Sequence, residues 1–265
     1  IQALAGSTVS LNNDSRILNG TLTSVGSGVI NAVNANQYLT NVTLSAGSNL
    51  RVQNDALYAN TTLTNNGTIT LGGAAGTADL RSEGANLAIN GTGTIVLDNS
   101  AGAARIFGGN ITFGAGQTVQ GAGSLGLNQT IFTNDGLISA DAGTGISIDV
   151  SGGNGGVGAG NGVGTGGNAG LVNFGNMSGV NGGTLSFEGG LYENGDGGRL
   201  FANANGTVVF NNDASYFNLK SGGILDTGRI YAQGYGGAGT INLRSNAANV
   251  ITTIGTASGP STEVI

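Results

Sequence analysis

Asn66-Gly67-Thr68-Ile69-Thr70-Leu71 is the stretch on which the fold of this chain turns. Asn and Gly enter the left-handed backbone region that a sharp corner needs more readily than other residues. Thr is β-branched and stiff at χ1, so it favours an extended backbone. Ile69 and Leu71 stand two positions apart, which places both on one face of a strand. The unit is a corner followed by a short strand with a single apolar face.

The same unit recurs along the chain. It is seen at Asn19-Gly20-Thr21-Leu22-Thr23, Asn41-Val42-Thr43-Leu44, Gly93-Thr94-Ile95-Val96-Leu97 and Asn110-Ile111-Thr112-Phe113. Further copies are Asp135-Gly136-Leu137-Ile138-Ser139, Gly183-Thr184-Leu185-Ser186-Phe187, Gly206-Thr207-Val208-Val209-Phe210 and Gly239-Thr240-Ile241-Asn242-Leu243. Weaker strands lie between them, among them Val9-Ser10-Leu11, Leu50-Arg51-Val52, Leu87-Ala88-Ile89, Leu125-Gly126-Leu127 and Ile146-Ser147-Ile148-Asp149-Val150. The strong units return every ~18 to 26 residues, the length of one coil of a β-solenoid with two or three strands per turn. The pattern predicts an all-β chain: a right-handed parallel β-helix of about twelve irregular coils, stacked ~4.8 Å apart into a rod of ~50 to 60 Å. Leu22, Leu44, Ile69, Ile95, Ile111, Ile138, Leu185, Val208 and Ile241 are expected to point inward, followed two positions on by Leu71, Leu97, Phe113, Phe187, Phe210 and Leu243. Asn at equivalent corners is expected to stack into amide ladders, since each amide carries both a donor and an acceptor.

Composition narrows the alternatives. The 265 residues include 53 Gly and 1 Pro, which with no Gly at every third position excludes a collagen-like chain. Hydrophobic residues reach 38% and come in strand-like bursts, which argues against disorder. Aromatics at 5% are few for the core of a β-sandwich, whereas a narrow coil interior accepts stacked Leu, Ile, Val and Ala. Only 8% of residues are charged, against about 25% in an average soluble protein. With no Cys there is no disulfide framework and no thiolate chemistry. Ser151 to Gly170 reads SGGNGGVGAGNGVGTGGNAG and contains nothing able to build a core. It reads as a Gly-rich loop insertion at 151–170 in one solenoid domain spanning 1–265.

The same residues restrict function. Net charge is -6, and Arg16, Arg51, Arg81, Arg105, Arg199, Lys220, Arg229 and Arg244 read as scattered singly, so no nucleic-acid partner is expected. No apolar run approaches the roughly 20 residues that span a bilayer as a helix. Without His, imidazole acid–base catalysis and His metal sites are closed. Carboxylate pairs remain as glycosidase candidates, Asp135 with Asp141 or Glu188 with Glu193 and Asp196, although turn acids in solvent are the simpler account. Glu193-Asn194-Gly195-Asp196-Gly197-Gly198 gathers oxygen ligands of the kind calcium takes, but lacks the repeated rows of a calcium-loaded β-roll and reads as a turn. Catalytic, cofactor and metal sites are therefore not expected. Ten Asn-x-Ser/Thr triplets, at Asn13, Asn19, Asn41, Asn60, Asn66, Asn90, Asn110, Asn128, Asn176 and Asn205, read first as turn chemistry. Tyr231 and Tyr235, in Tyr-Ala-Gln-Gly-Tyr-Gly-Gly, are the candidate surface contact.

The units at 66–71, Asn134-Asp135-Gly136-Leu137-Ile138-Ser139-Ala140 and Gly182-Gly183-Thr184-Leu185-Ser186-Phe187 resemble the passenger repeats of bacterial autotransporter and haemagglutinin-like adhesins. The resemblance covers most of the chain outside 151–170. It implies a secreted or cell-surface β-helix with an adhesive or scaffolding role, and surface glycans or matrix as targets. No aromatic-girdled barrel and no haemagglutinin-type secretion domain is recognisable, so only the passenger-like part carries over. The start, Ile1-Gln2-Ala3-Leu4-Ala5, and the end, Ser261-Thr262-Glu263-Val264-Ile265, both read as strand material: either the chain is cut from a longer solenoid or copies stack pole to pole, and copies stacked end to end are the expected partners. The alternative is a carbohydrate-active enzyme or tailspike-like module, which a groove lined by several carboxylates on one face would favour.

Overall fold

The computed structural model describes, with side chains, residues 1–151, 170–188, 192–195, 197–202 and 205–209; a few strand residues beyond these, including Ser215–Leu219, Ile224–Asp226, Ile230–Ala232 and Leu243–Ser245, are described as backbone alone. Ile241, Tyr235, Asp196 and most of 151–170 lie outside the described residues, as do the side chains of Phe210, Tyr231 and Leu243. Among the described residues there is no helix, and every paired strand is parallel to its neighbour.

Each turn of the chain contributes three short faces. The first face is the ladder that begins with Thr8–Leu11 over Val29–Ala32. The second and third faces are the two halves of strands such as Arg16–Ser24, which bends at Asn19. On the first face the rungs fall at residues 8, 29, 49, 68, 94, 118, 137, 176 and 199. This makes a β-solenoid of about eight turns, and Ile224–Asp226 continues the ladder past Arg199. An even division of the length by about 22 residues underlies the expectation of twelve coils. The turn from Leu137 to Asn176 shows why that division is unsafe: it contains the whole Gly-rich segment.

The register explains the core. Ile30, Leu50, Ile69, Ile95, Val119, Ile138, Met177 and Leu200 lie over one another in a single inward column, and all are buried. Leu22, Leu44, Ile111, Leu185 and Val208 are buried on the other two faces, as their alternation predicts, and so are Phe113 and Phe187, while Leu71 and Leu97 are buried on the first face. The corners are where Asn and Gly do their work. Asn13, Asn34 and Asn54 at the first corner have φ of 53°, 56° and 52°; Asn19 and Asn41 at the second have 53° and 52°.

The expected amide ladder exists inside the third corner. Nδ2 of Asn134 donates to Oδ1 of Asn173 at 2.7 Å, and Nδ2 of Asn173 donates to Oδ1 of Asn194 at 2.6 Å. Asn65 and Gln117 form a similar pair at 3.1 Å. Earlier in the stack the same corner is held by Ser24 and Ser48, whose hydroxyls accept from backbone N–H groups of Asn49 and Ser24.

The Gly-rich segment joins the solenoid at the second corner. The N–H of Ser151 donates to the carbonyl of Thr130 at 2.9 Å, and the N–H of Phe132 donates to the carbonyl of Gly170 at 2.8 Å. The two ends of the segment thus sit on positions only two residues apart in the coil below. Removing 152–169 and bridging Ser151 to Gly170 with a two-residue Asn-Gly linker should change unfolding free energy by less than about 1 kcal/mol, because neither flank loses its rung. Ile95→Ala, by contrast, should cost about 2–5 kcal/mol in a urea titration.

Candidate functional site

The outward side chains of the second face gather charge and aromatic rings; on the first face Arg199 also lies 4.6 Å from the Phe201 ring centre. Register carries Arg16 onto Tyr38, Tyr38 onto Tyr58, Tyr58 onto Arg81 and Arg81 onto Phe107. With rungs ~4.8 Å apart, such rings must stack. Tyr38 and Tyr58 do so with centroids 5.1 Å apart and planes 19° from parallel. Arg16 covers the outer face of Tyr38 at 3.8 Å, and Arg81 lies 4.7 Å from the centre of Phe107. These rings stand out from the sheet like fins, with their faces turned along the rod.

Asp79 organises the cations. It is outward-pointing yet only 2% exposed, because two arginines close over it. Its Oδ1 accepts from Nε of Arg105 at 2.7 Å and its Oδ2 from Nη2 of Arg105 at 2.9 Å. Oδ2 also accepts from Nε of Arg81 at 2.9 Å and from Nη2 of Arg81. Nη1 of Arg81 then donates to the Tyr58 hydroxyl at 3.0 Å. The clasp joins three successive coils. At its edge Nη1 of Arg16 reaches Glu83 at 3.4 Å.

Further along the same face the charge changes sign. Gly126 follows Phe107 in the outer row, and Asp149 and then Glu188 follow Gly126. Desolvation, and secondly the Glu188 carboxylate, push the Asp149 carboxyl above its ordinary value. The Ser147 hydroxyl donates to Oε1 of Glu188 at 3.2 Å. Burial, with Asp149 and Glu188 adding to it, also pushes the Tyr192 phenol well up; its hydroxyl donates to the carbonyl of Ile148 at 2.8 Å.

The carboxylates singled out in the sequence are placed differently. Asp135 and Asp141 stand at opposite ends of the strand Leu137–Ala140 and do not meet. Glu188 is brought beside Asp149, which the sequence did not single out. Glu193 and Asn194 alternate across their strand: the Asn194 amide points into the ladder, where its Oδ1 accepts from Asn173 and its Nδ2 donates to the carbonyl of Gly198. No group of three or more acidic side chains able to hold a metal ion occurs among the described residues. Tyr231 pairs in register with Val209, which puts it on a rung of the second face. Five Asn-x-Ser/Thr triplets, at Asn19, Asn41, Asn60, Asn110 and Asn128, fall along the second corner, and Asn19, Asn41 and Asn128 have the positive φ that corner requires.

The arginines read as scattered are therefore a correction: Arg16, Arg81 and Arg105 share one face. The signal lay in the spacing. Positions 16, 38, 58, 81 and 107 repeat at about one coil length, and only register turns that spacing into contact. Comparison with protein-family models, with curated proteins and with solved structures finds no match.

Asp79→Ala should cost about 3–5 kcal/mol, because it leaves two guanidinium groups facing each other without their carboxylate; thermal or urea unfolding checks this. The raised Asp149 carboxyl favours the protonated folded state. Its contribution is present at low pH and is lost as pH rises through the ordinary carboxylate value of 3.8 and on through the raised one. Asp149→Asn should flatten that part of the stability–pH curve, and Glu188→Gln should move the Asp149 titration down in an NMR pH series.

Proposed function

We propose that this chain is a structural or adhesive extracellular surface protein, a rod that forms part of an extended fibre. The observation that carries the reading is the unbroken parallel ladder whose outward side chains are mostly Thr, Ser and Asn, with one concentrated row of cations and rings on the second face. A surface of this kind gives length and a repeated contact face rather than an enclosed cavity. We take the coils as right-handed because parallel strand crossovers are right-handed in about 98% of cases. One solenoid with the Gly-rich segment inserted at a corner is favoured over two domains, since Ser151 and Gly170 return to the same coil.

Stacking of copies end to end fits the ladder. A coil of a second copy would continue the in-register parallel pairing that Thr8–Leu11 makes with Val29–Ala32. Absence of Cys and the passenger-like repeats support a secreted or cell-surface location, with glycans or matrix as the contacted material.

The enzyme reading keeps one observation in its favour, the Asp149–Glu188 pair on adjacent rungs. Both readings meet in one experiment. The purified chain at high concentration should form long thin fibres in electron micrographs and leave polysaccharide chain length unchanged. Isolated short rods at every concentration would overturn the fibre. Polysaccharide cleavage lost in both Asp149→Asn and Glu188→Gln would replace adhesion by catalysis.

A further inference from the structure

Inside the first corner, on two successive coils, two buried oxygens lack the partner that burial requires. Gln37 is fully buried, and its register partner Leu57 is buried too, so its amide lies in the interior. Nε2 of Gln37 donates to the carbonyl of Ala35 at 2.6 Å and to that of Val33 at 3.3 Å, which uses both of its hydrogens. A flipped amide would set its oxygen against those carbonyls, so the orientation is fixed. Oε1 of Gln37 is buried and has no hydrogen-bond partner among the described residues. Asp55 stands one coil further on. It shares the inward parity of Leu57, and its register partner Ala78 is buried. Its Oδ1 accepts from the N–H of Ala56 at 2.7 Å, but its Oδ2 is buried and likewise without a partner among the described residues. Ala35 ties the two together: its carbonyl takes the Gln37 amide, and its N–H is turned to the Asp55 carboxylate.

The same corner carries charge without counter-charge. Asp14 lies there one coil before Gln37, where the N–H of Asn13 donates to the carbonyl of Asn34 at 3.0 Å. Burial pushes the Asp55 carboxyl up and the Asp14 carboxylate adds to the push, so the two acids are within electrostatic reach. Neither has an ion pair among the described residues.

We infer that this corner is a calcium site, with one ion held between Oε1 of Gln37 and Oδ2 of Asp55 and with Asp14 supplying the second negative charge. Calcium takes carboxylate and amide oxygens together, tolerates irregular geometry and forms bonds of ~2.3–2.6 Å. Side chains one rung apart, at ~4.8 Å, can therefore face one ion from two sides. Two carboxylates match its charge, and water completes its shell. Magnesium needs a near-octahedral set of ligands and sheds water reluctantly, so it suits the corner less. The ion would join three successive coils and clamp this stretch of the rod. The rival occupant is a proton on Oδ2 donated to Oε1, and the two differ in what calcium does to the protein.

Calorimetric titration of the whole chain near neutral pH should show one calcium per chain, with a Kd of ~10⁻⁴–10⁻³ M, the range of extracellular calcium modules. Calcium should raise Tm relative to EDTA. Asp55→Asn should weaken binding at least about tenfold, because affinity follows ligand charge. It should also remove the Tm rise, while unfolding no earlier than the parent in EDTA, since it deletes a buried charge. Gln37→Met, which lacks the amide oxygen, should weaken binding too. Asp14→Asn alters an exposed residue, so it keeps the test decisive if a buried variant fails to fold; it should raise Kd with Tm in EDTA unchanged. A Tm identical in calcium and EDTA overturns the site in favour of the proton. Calcium binding that survives unchanged in both Asp14→Asn and Asp55→Asn places the ion elsewhere and overturns it as well.

Discussion

In-register parallel pairing between successive coils is the constraint from which the other features follow. Each residue lies about 4.8 Å above its counterpart, so every side chain has a neighbour from the equivalent position one coil away. Inward, that stacks Ile30 on Leu50 on Ile69 on Ile95. Outward, it penalises charge. Two like charges at this spacing repel by about 1 kcal/mol in bulk water and by more where solvent is partly excluded. A column of charged residues would sum that repulsion rung after rung. The 8% charge content is thus a consequence of the fold and not an independent oddity of composition. Asp149 shows what the exception does: burial first, and the Glu188 carboxylate beside it second, push its carboxyl above the ordinary value.

The same geometry rewards side chains that bind their own kind. Amides do, since each offers a donor upward and an acceptor downward, and Asn134, Asn173 and Asn194 run as a chain. Phenol rings do, as Tyr38 on Tyr58 shows, and so do hydroxyls, as Thr23 and Ser45 show at 2.9 Å. The ladder is sensitive to where it starts. Phe113 is the register partner of Asn134 on the coil below, and Oδ1 of Asn134 is left without a donor among the described residues. In the clasp Asp79 sits between Arg81 and Arg105, and opposite charges replace like ones.

Inward positions were legible because period-two alternation needs no knowledge of the partner strand: Ile69 and Leu71 are apolar, Thr68 and Thr70 polar, and the inside follows. The second face was not, because a contact between Tyr38 and Tyr58 or between Asp79 and Arg105 exists only once coil length is fixed. That length is irregular. It changes at bulges such as the one between Ala59 and Thr61 and the one between Phe107 and Asn110, so no constant period aligns the rows. Nearness in sequence misled for the same reason. Asp135 and Asp141 are six positions apart and stand at two ends of one strand, while Asp149 and Glu188 are far apart in the chain and neighbours in the rod.

The irregularity enters at more than one corner: across the first, Val52 and Tyr58 are six positions apart, whereas their register partners Leu71 and Arg81 are ten apart. Extra residues enter at the second corner: Ser82 to Leu87 on one coil, Phe107 to Asn110 on the next, and the Gly-rich segment between Ser151 and Gly170. At the third corner an added residue would push a buried member out of the Asn134–Asn173–Asn194 chain and leave amide groups unpaired in the interior. At the second corner the strand bends within one sheet, and the turning residues, such as Asn19, Asn41 and Asn128, point to solvent. An outward bulge there leaves the rungs on both sides of it in register. The second corner thus absorbs new sequence without loss of the ladder, and it borders the face that carries the arginines, the rings and the carboxylates.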